Sequence, residues 1–236
     1  CIHQTDLSNE IVNLAYRLLK LCNSAQNSHI TEMPERLMTL DSIAIILFNE
    51  FETLDVMGPV EVFGRLDNCK INFISPSGLP MTSSQGVTLE TIRVDKPRYK
   101  HLLIPGGQGT RPLSQDDRYI QWLMKQFEFA DTVISVCTGS ALIAKTPLLN
   151  GLRATTNKLA YDWVTSLNKK ILWQPSARWV HDGKFYTSSG ISAGIDMSLQ
   201  IVNDFYGLNI ATDIAIKMEY IWNQNPKHDP FEKVII

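Results

Sequence analysis

Few of the features that mark a specialised class are present in this sequence. Its 236 residues contain four cysteines, Cys1, Cys22, Cys69 and Cys137, with no C-x-x-C pair. That is too few for a disulfide framework at this length, so a reducing, cytoplasmic setting is expected. The five histidines, His3, His29, His101, His181 and His228, show no H-x-x-x-H spacing. A metal site is therefore not expected, and no cofactor is implied. No apolar run reaches the roughly 18–20 residues needed to cross a bilayer. Lys and Arg number 22 against 24 Asp and Glu, giving a net charge of -2 with no long basic run. Nucleic acid is not the expected partner, because phosphate binding rests on clustered cations. The chain opens on Cys1 without a Met, which reads as a processed or truncated product. A leading Cys is also what a lipid-bearing or periplasmic protein carries, the alternative to a cytoplasmic location.

What remains is the composition of a globular domain. Hydrophobic residues make up 44% and charged residues 19%, enough apolar surface for a core and too little charge for disorder. Residues 1–40 differ in texture from the rest. Ile11, Leu14, Leu18 and Leu21 recur at helical spacing, and a polar stretch and Pro34 follow. They are expected to form a helical extension and linker that packs on a main α/β domain over 41–236. In that domain SIAIILF (42–48), INFISP (71–76), HLLIPGG (101–107) and TVISVC (132–137) are short, nearly continuous apolar runs, as in strands buried on both faces. Short strands are expected around Gly86, and a hairpin over 179–190 turning at Asp182–Gly183. Helices are expected from Gly58–Pro59, over 116–129, over 138–146, around YDWVTSL, over 192–207 and over roughly 209–222. Strands alternating with helices of this length argue for a doubly wound, mostly parallel sheet, whose sites lie at the carboxyl ends of the strands.

Two of those ends carry unusual residues. In TVISVCTGSALIA an apolar strand runs into Cys137 and a helix starts at once, so the cysteine occupies the bend itself, as in a nucleophile elbow. The helix end favours thiolate, and its first N–H groups are free to stabilise an anion. A buried structural cysteine is the competing reading. At Pro105-Gly106-Gly107 the glycines let backbone approach a ligand and offer further donors. Asp55, between apolar neighbours before a helix, is either an N-cap or a carboxyl that faces the cysteine and moves a proton. Glu52 and Glu61 are the nearby alternatives.

The segments LDVMGPVEVF (54–63), LLIPGG (102–107), ISVCTGSALIAKTPLLNGLRATT (134–156), SSGISAGID (188–196) and MEY (218–220) together resemble the ThiJ/PfpI family within the class I glutamine amidotransferase-like superfamily. The resemblance spans roughly 42–231 and looks most like the isonitrile hydratase branch, and also like the sensor domains of AraC-type regulators. It implies a flavodoxin-like three-layer sandwich, a homodimer, Cys137 as nucleophile, Asp55 as acidic partner and Thr138 beside them. In the hydratase branch it implies cysteine attack on a small isonitrile and release of an N-substituted formamide, with no metal or organic cofactor. Where many relatives carry His after A-T-T this chain has Asn157. That weakens a protease or glutaminase reading, which wants a base beside the sulfur, and leaves Asn157 and Ile191 as pocket residues together with Gly106 and Gly107. Two other readings stand beside the hydratase. One is a catalytically silent ligand or redox sensor. The other is a glyoxalase or deglycase of stress protection.

Overall fold

The computed structural model describes residues 39–232. The helical extension expected over residues 1–40 lies, but for its last two residues, outside them.

The apolar runs form strands where their hydrophobicity is continuous. In chain order the elements begin with β1 (Ser42–Ile46), α1 (Thr53–Phe63), β2 (Lys70–Ser75), β3 (Met81–Thr82), β4 (Thr88–Leu89), β5 (Ile92–Arg93) and β6 (His101–Ile104). Then come α2 (Thr110–Leu113), α3 (Asp117–Phe129), β7 (Thr132–Ser135), α4 (Gly139–Ala144), β8 (Arg153–Ala154), α5 (Tyr161–Leu167) and β9 (Leu172–Trp173). The last are β10 (Trp179–Asp182), β11 (Phe185–Ser188), α6 (Ala193–Tyr206) and α7 (Leu208–Lys217).

Seven strands form one sheet in the order β10-β11-β7-β6-β1-β2-β5. All pairs are parallel except the β10–β11 hairpin. Strands β6, β7 and β11 are buried along their whole length, as is β1 from its second residue. That burial explains why β1, β6 and β7 read as runs of Ile, Leu and Val instead of alternating patterns. Helices α1, α6 and α7 pack together on one side of the sheet, and α2 to α5 on the other. This is the flavodoxin-like α/β sandwich.

Three expected boundaries move. Helix α1 starts at Thr53, not at Gly58–Pro59, so Asp55 lies in its first turn and Pro59 inside it. Proline has no N–H, so the Asp55 carbonyl has no helical donor four residues on. In the hairpin Asp182 still pairs with Phe185, and the turn is Gly183–Lys184. The final helix stops at Lys217: Glu219 takes a positive φ of 51° and Tyr220 turns inward to donate to Asp196 Oδ1 at 3.0 Å.

Candidate active site

Strands β7, β6 and β1 are neighbours, so the loops at their carboxyl ends converge. These loops carry Cys137, Pro105-Gly106-Gly107 and Phe51–Asp55. The register holds them together: Val136 N donates to Ile104 O at 3.1 Å and Glu52 N to Gly106 O at 2.8 Å.

Cys137 occupies the bend with φ of 57°, a left-handed conformation that a non-glycine residue adopts only when its surroundings enforce it. Its N–H donates to Ser189 O, and its carbonyl accepts from Ser140 Oγ and Thr156 Oγ1, both at 3.1 Å. The elbow is thus fixed from the end of the neighbouring strand β11 and from the RATT segment as well as from its own helix. Helix α4 comes so close to β6 that a Cβ on Gly139 would lie 2.4 Å from the Ile104 carbonyl oxygen. Only glycine fits there.

Asp55 is fully buried. Its Oδ2 accepts from Gly106 N at 2.8 Å, and Oδ1 has no hydrogen bond of regular geometry among the described residues. The carboxyl is near enough to the Cys137 thiol for the sulfur to act on its proton affinity. Burial pushes Asp55 up to about 8, with the half-buried Glu52 adding to the rise and the Gly106 N–H opposing it. Burial also pushes the Cys137 thiol well above its ordinary value, and the Asp55 charge adds to that. The Thr138 N–H and Asn157 pull it the other way. The helix-end expectation of a depressed cysteine pKa is therefore corrected. Helix α4 has only six residues, and desolvation outweighs its partial charge. Two groups that share one negative charge in a dry site titrate as a pair.

The glycine loop serves the site from within. Gly106 N–H is taken by Asp55, and Gly107 N–H by Thr138 Oγ1 at 3.0 Å. These donors hold the acid and the threonine, in place of the free ligand contacts expected of them. Thr138 Oγ1 also accepts from Thr110 Oγ1 at 3.1 Å. The first helical N–H groups are likewise partly used: Gly139 N bonds Val136 O and Ala141 N bonds Thr138 O. Of the acidic alternatives, Glu61 is exposed and pairs with Arg65. Glu52 is the α1 N-cap residue, and its carboxylate accepts from Gln85.

Beyond the sulfur lies a cavity of about 380 Å³ lined by Leu54, Asn157, Gly190, Ile191 and Phe231 among others. That volume suits a small molecule. Asn157 Oδ1 accepts from Ala160 N at 3.0 Å. Its Nδ2 lies 2.1 Å from where a Cβ on Gly190 would stand, and that Cβ would be 3.2 Å from Cys137 Sγ. Gly190 is thus the residue sequence reasoning missed. Its only signal was a glycine beside Ile191 in SSGISAG. His181 stacks on Tyr186 at 3.8 Å and is exposed, as is His228, while His101 is at the opposite end of β6. No described histidine is among the groups that act on the sulfur. Among the described residues no group of three or more His, Cys, Asp or Glu could hold a metal ion, and no helix is long and apolar enough to cross a membrane.

A buried carboxyl thus stands beside an elbow cysteine on the carboxyl edge of a parallel sheet. Residues 41–204 match the DJ-1/PfpI family model, and the chain belongs to that family. It is 33% identical over 180 residues to an isonitrile hydratase from Pseudomonas putida, covering 75% of this chain and 78% of that one. The HTH-type transcriptional regulator CdhR from Pseudomonas aeruginosa is 26% identical over 71% of this chain but only 51% of its own length. Among solved structures, a ThiJ/PfpI family protein from Pseudomonas syringae superposes with a TM-score of 0.69 at 26% identity, covering 81% and 83% of the two chains. An AraC family transcriptional regulator from P. putida superposes at 0.62 with 14% identity, over 75% of this chain and 98% of that one, which shows the shared fold.

Proposed function

We propose that the protein is an isonitrile hydratase-like enzyme, a hydro-lyase that converts a small isonitrile to an N-substituted formamide. The observation that carries the reading is the buried Cys137–Asp55 pair, with Asn157 at the position where a histidine would serve amide hydrolysis. The likeness to the P. putida hydratase supports it.

In the working state the pair holds one proton, which the Asp55 carboxylate takes from the Cys137 thiol as the sulfur becomes the nucleophile. The Cys137 sulfur attacks the terminal carbon of R–N≡C, a C–S bond forms, and Asp55 gives its proton to that carbon. The product is a thioimidate, R–N=CH–S–Cys137. Water then adds to the same carbon. The Asp55 carboxylate takes one water proton and delivers it to nitrogen. Collapse of R–NH–CH(OH)–S–Cys137 returns the hydroxyl proton to Asp55 and releases R–NH–CHO and the thiolate. Thr138 and Asn157 hold the sulfur and the bound molecule, Gly106 and Gly107 hold Asp55 and Thr138, and Ile191 contacts the substituent. The chemistry needs no cofactor, and the chain works as a homodimer, which light scattering at micromolar concentration would check. Acid quench during turnover tests the covalent step. A Cys137 peptide heavier by the mass of one isonitrile is expected, and steady turnover by a Cys137→Ala variant would overturn it.

The second reading is a sensor domain, supported by the likeness to CdhR and to the AraC family structure. In that case the cavity binds an isonitrile or related small ligand without consuming it, and calorimetry would show binding with no formamide formed.

A further inference from the structure

The cavity wall farthest from Cys137 in sequence is Phe231. It arrives on the segment that follows α7, which buried polar groups hold in place. Asp196 of α6 is fully buried and forms an ion pair with Arg178 at 2.6 Å. It also accepts from Tyr220 Oη and Asn223 N, both at 3.0 Å. Further on, Arg178 N donates to Pro226 O at 2.8 Å and Asp229 N to Ser176 O at 2.7 Å. Asp229 is fully buried, with Arg178 Nη1 at 3.8 Å from its Oδ1 and no hydrogen-bond partner for Oδ2 among the described residues. Lys158, also buried, donates to Thr155 Oγ1 at 2.9 Å and Ala177 O at 2.6 Å. The Asp229 charge is the main one opposing the burial that lowers its pKa to about 8. Asp229 Oδ1 in turn accepts from Phe231 N at 3.0 Å.

A buried carboxylate is costly unless cations compensate it. None of Arg178, Lys158, Asp196 and Asp229 takes part in the chemistry proposed above. What they fix is the path of residues 220–229, which delivers Phe231 to the cavity. Phe231 leaves the last anchor by two residues and presents a half-exposed ring to the space that Leu54 and Ile191 border. Asn157, next to Lys158 in sequence, borders the same space.

We infer that Phe231 is a specificity-determining residue of this site, a wall set by the Arg178–Asp229 anchor that contacts the substituent of the bound molecule and leaves its reacting carbon alone. The inference rests on the hydratase reading for the identity of that molecule. The test uses the full chain and its Phe231→Ala and Asp229→Asn variants, with methyl isonitrile and an aryl isonitrile as substrates. Loss of an apolar wall is worth about ten-fold in discrimination. Phe231→Ala is expected to raise KM about ten-fold for the aryl substrate. It leaves kcat within about two-fold for both and KM unchanged for methyl isonitrile. Asp229→Asn shows the same pattern through a displaced ring. An aryl-to-methyl ratio of kcat/KM unchanged in Phe231→Ala overturns the inference. Should wild type fail to turn over isonitriles, the hydratase reading falls and the wall is tested on the cysteine itself. Labelling of Cys137 by iodoacetamide and by N-phenylmaleimide is then followed by peptide mass. Phe231→Ala that alters the maleimide rate and not the iodoacetamide rate upholds the wall, and unaltered rates for both reject it.

Discussion

At Cys137 a helix end and a buried carboxyl act on one sulfur in opposite directions, and burial decides the outcome. The same burial pushes Asp55 up to about 8. Below that pH the pair holds two protons; above it, one, which is the reactive form. The expected profile of kcat/KM therefore rises with pH to a plateau above about 8, and a rate that is flat between pH 6 and 9 would contradict it. Stability runs the other way. Asp55 has a folded pKa above its unfolded 3.8, so its contribution is fully present below pH 4 and is lost as pH rises through about 8. Asp55→Asn keeps an acceptor for Gly106 N–H and removes the charge. Its Tm at pH 8 is expected to exceed that of wild type by at least about 4 °C, with the gap closing by pH 4, as scanning calorimetry would show.

At the scale of elements, the sequence revealed what is local and concealed what is assembled. The strands were legible because burial on both faces leaves unbroken Ile and Val runs. The elbow was legible because TVISVCTGS leaves no residues for a loop. The overlong final helix was a local misreading: Met218 to Trp222 continue the apolar spacing, but Asp196 draws Tyr220, Trp222 and Asn223 out of the helix. Gly190 could not be read as a site residue, since Cys137 is brought to it by the pairing of β11 with β7, and Asn157 by the Thr155 N–H bond to Thr187 of β11. Gly190→Ala puts a methyl group against the Asn157 amide in front of the sulfur. It is expected to lower kcat/KM by about 100-fold with an unchanged circular dichroism spectrum, because a small displacement at a reacting centre has that cost. Full activity in this variant would mean that substrate reaches the sulfur from elsewhere.

For the whole domain, the sandwich brings three strand ends to one edge and sets beside the cavity Phe231, more than 90 residues from Cys137 in sequence. The GID and MEY segments of the sequence meet here as Asp196 and Tyr220, and Arg178, which no motif singled out, joins them. Removing one partner of a buried pair leaves an uncompensated charge. Asp196→Ala is thus expected to cost about 3–5 kcal/mol, a fall in Tm of roughly 10 °C. A Tm within about 2 °C of wild type would show that the pair does not hold the segment.

The most direct measurement is formamide release from an alkyl isonitrile by wild type, Cys137→Ala and Asp55→Asn side by side, with each protein shown to be folded and the wild-type cysteine reduced. Turnover by wild type, none above background for Cys137→Ala and at least about 100-fold less for Asp55→Asn is the expected result. Undiminished turnover in either variant, or none in wild type, would contradict the assignment of the pair to this chemistry.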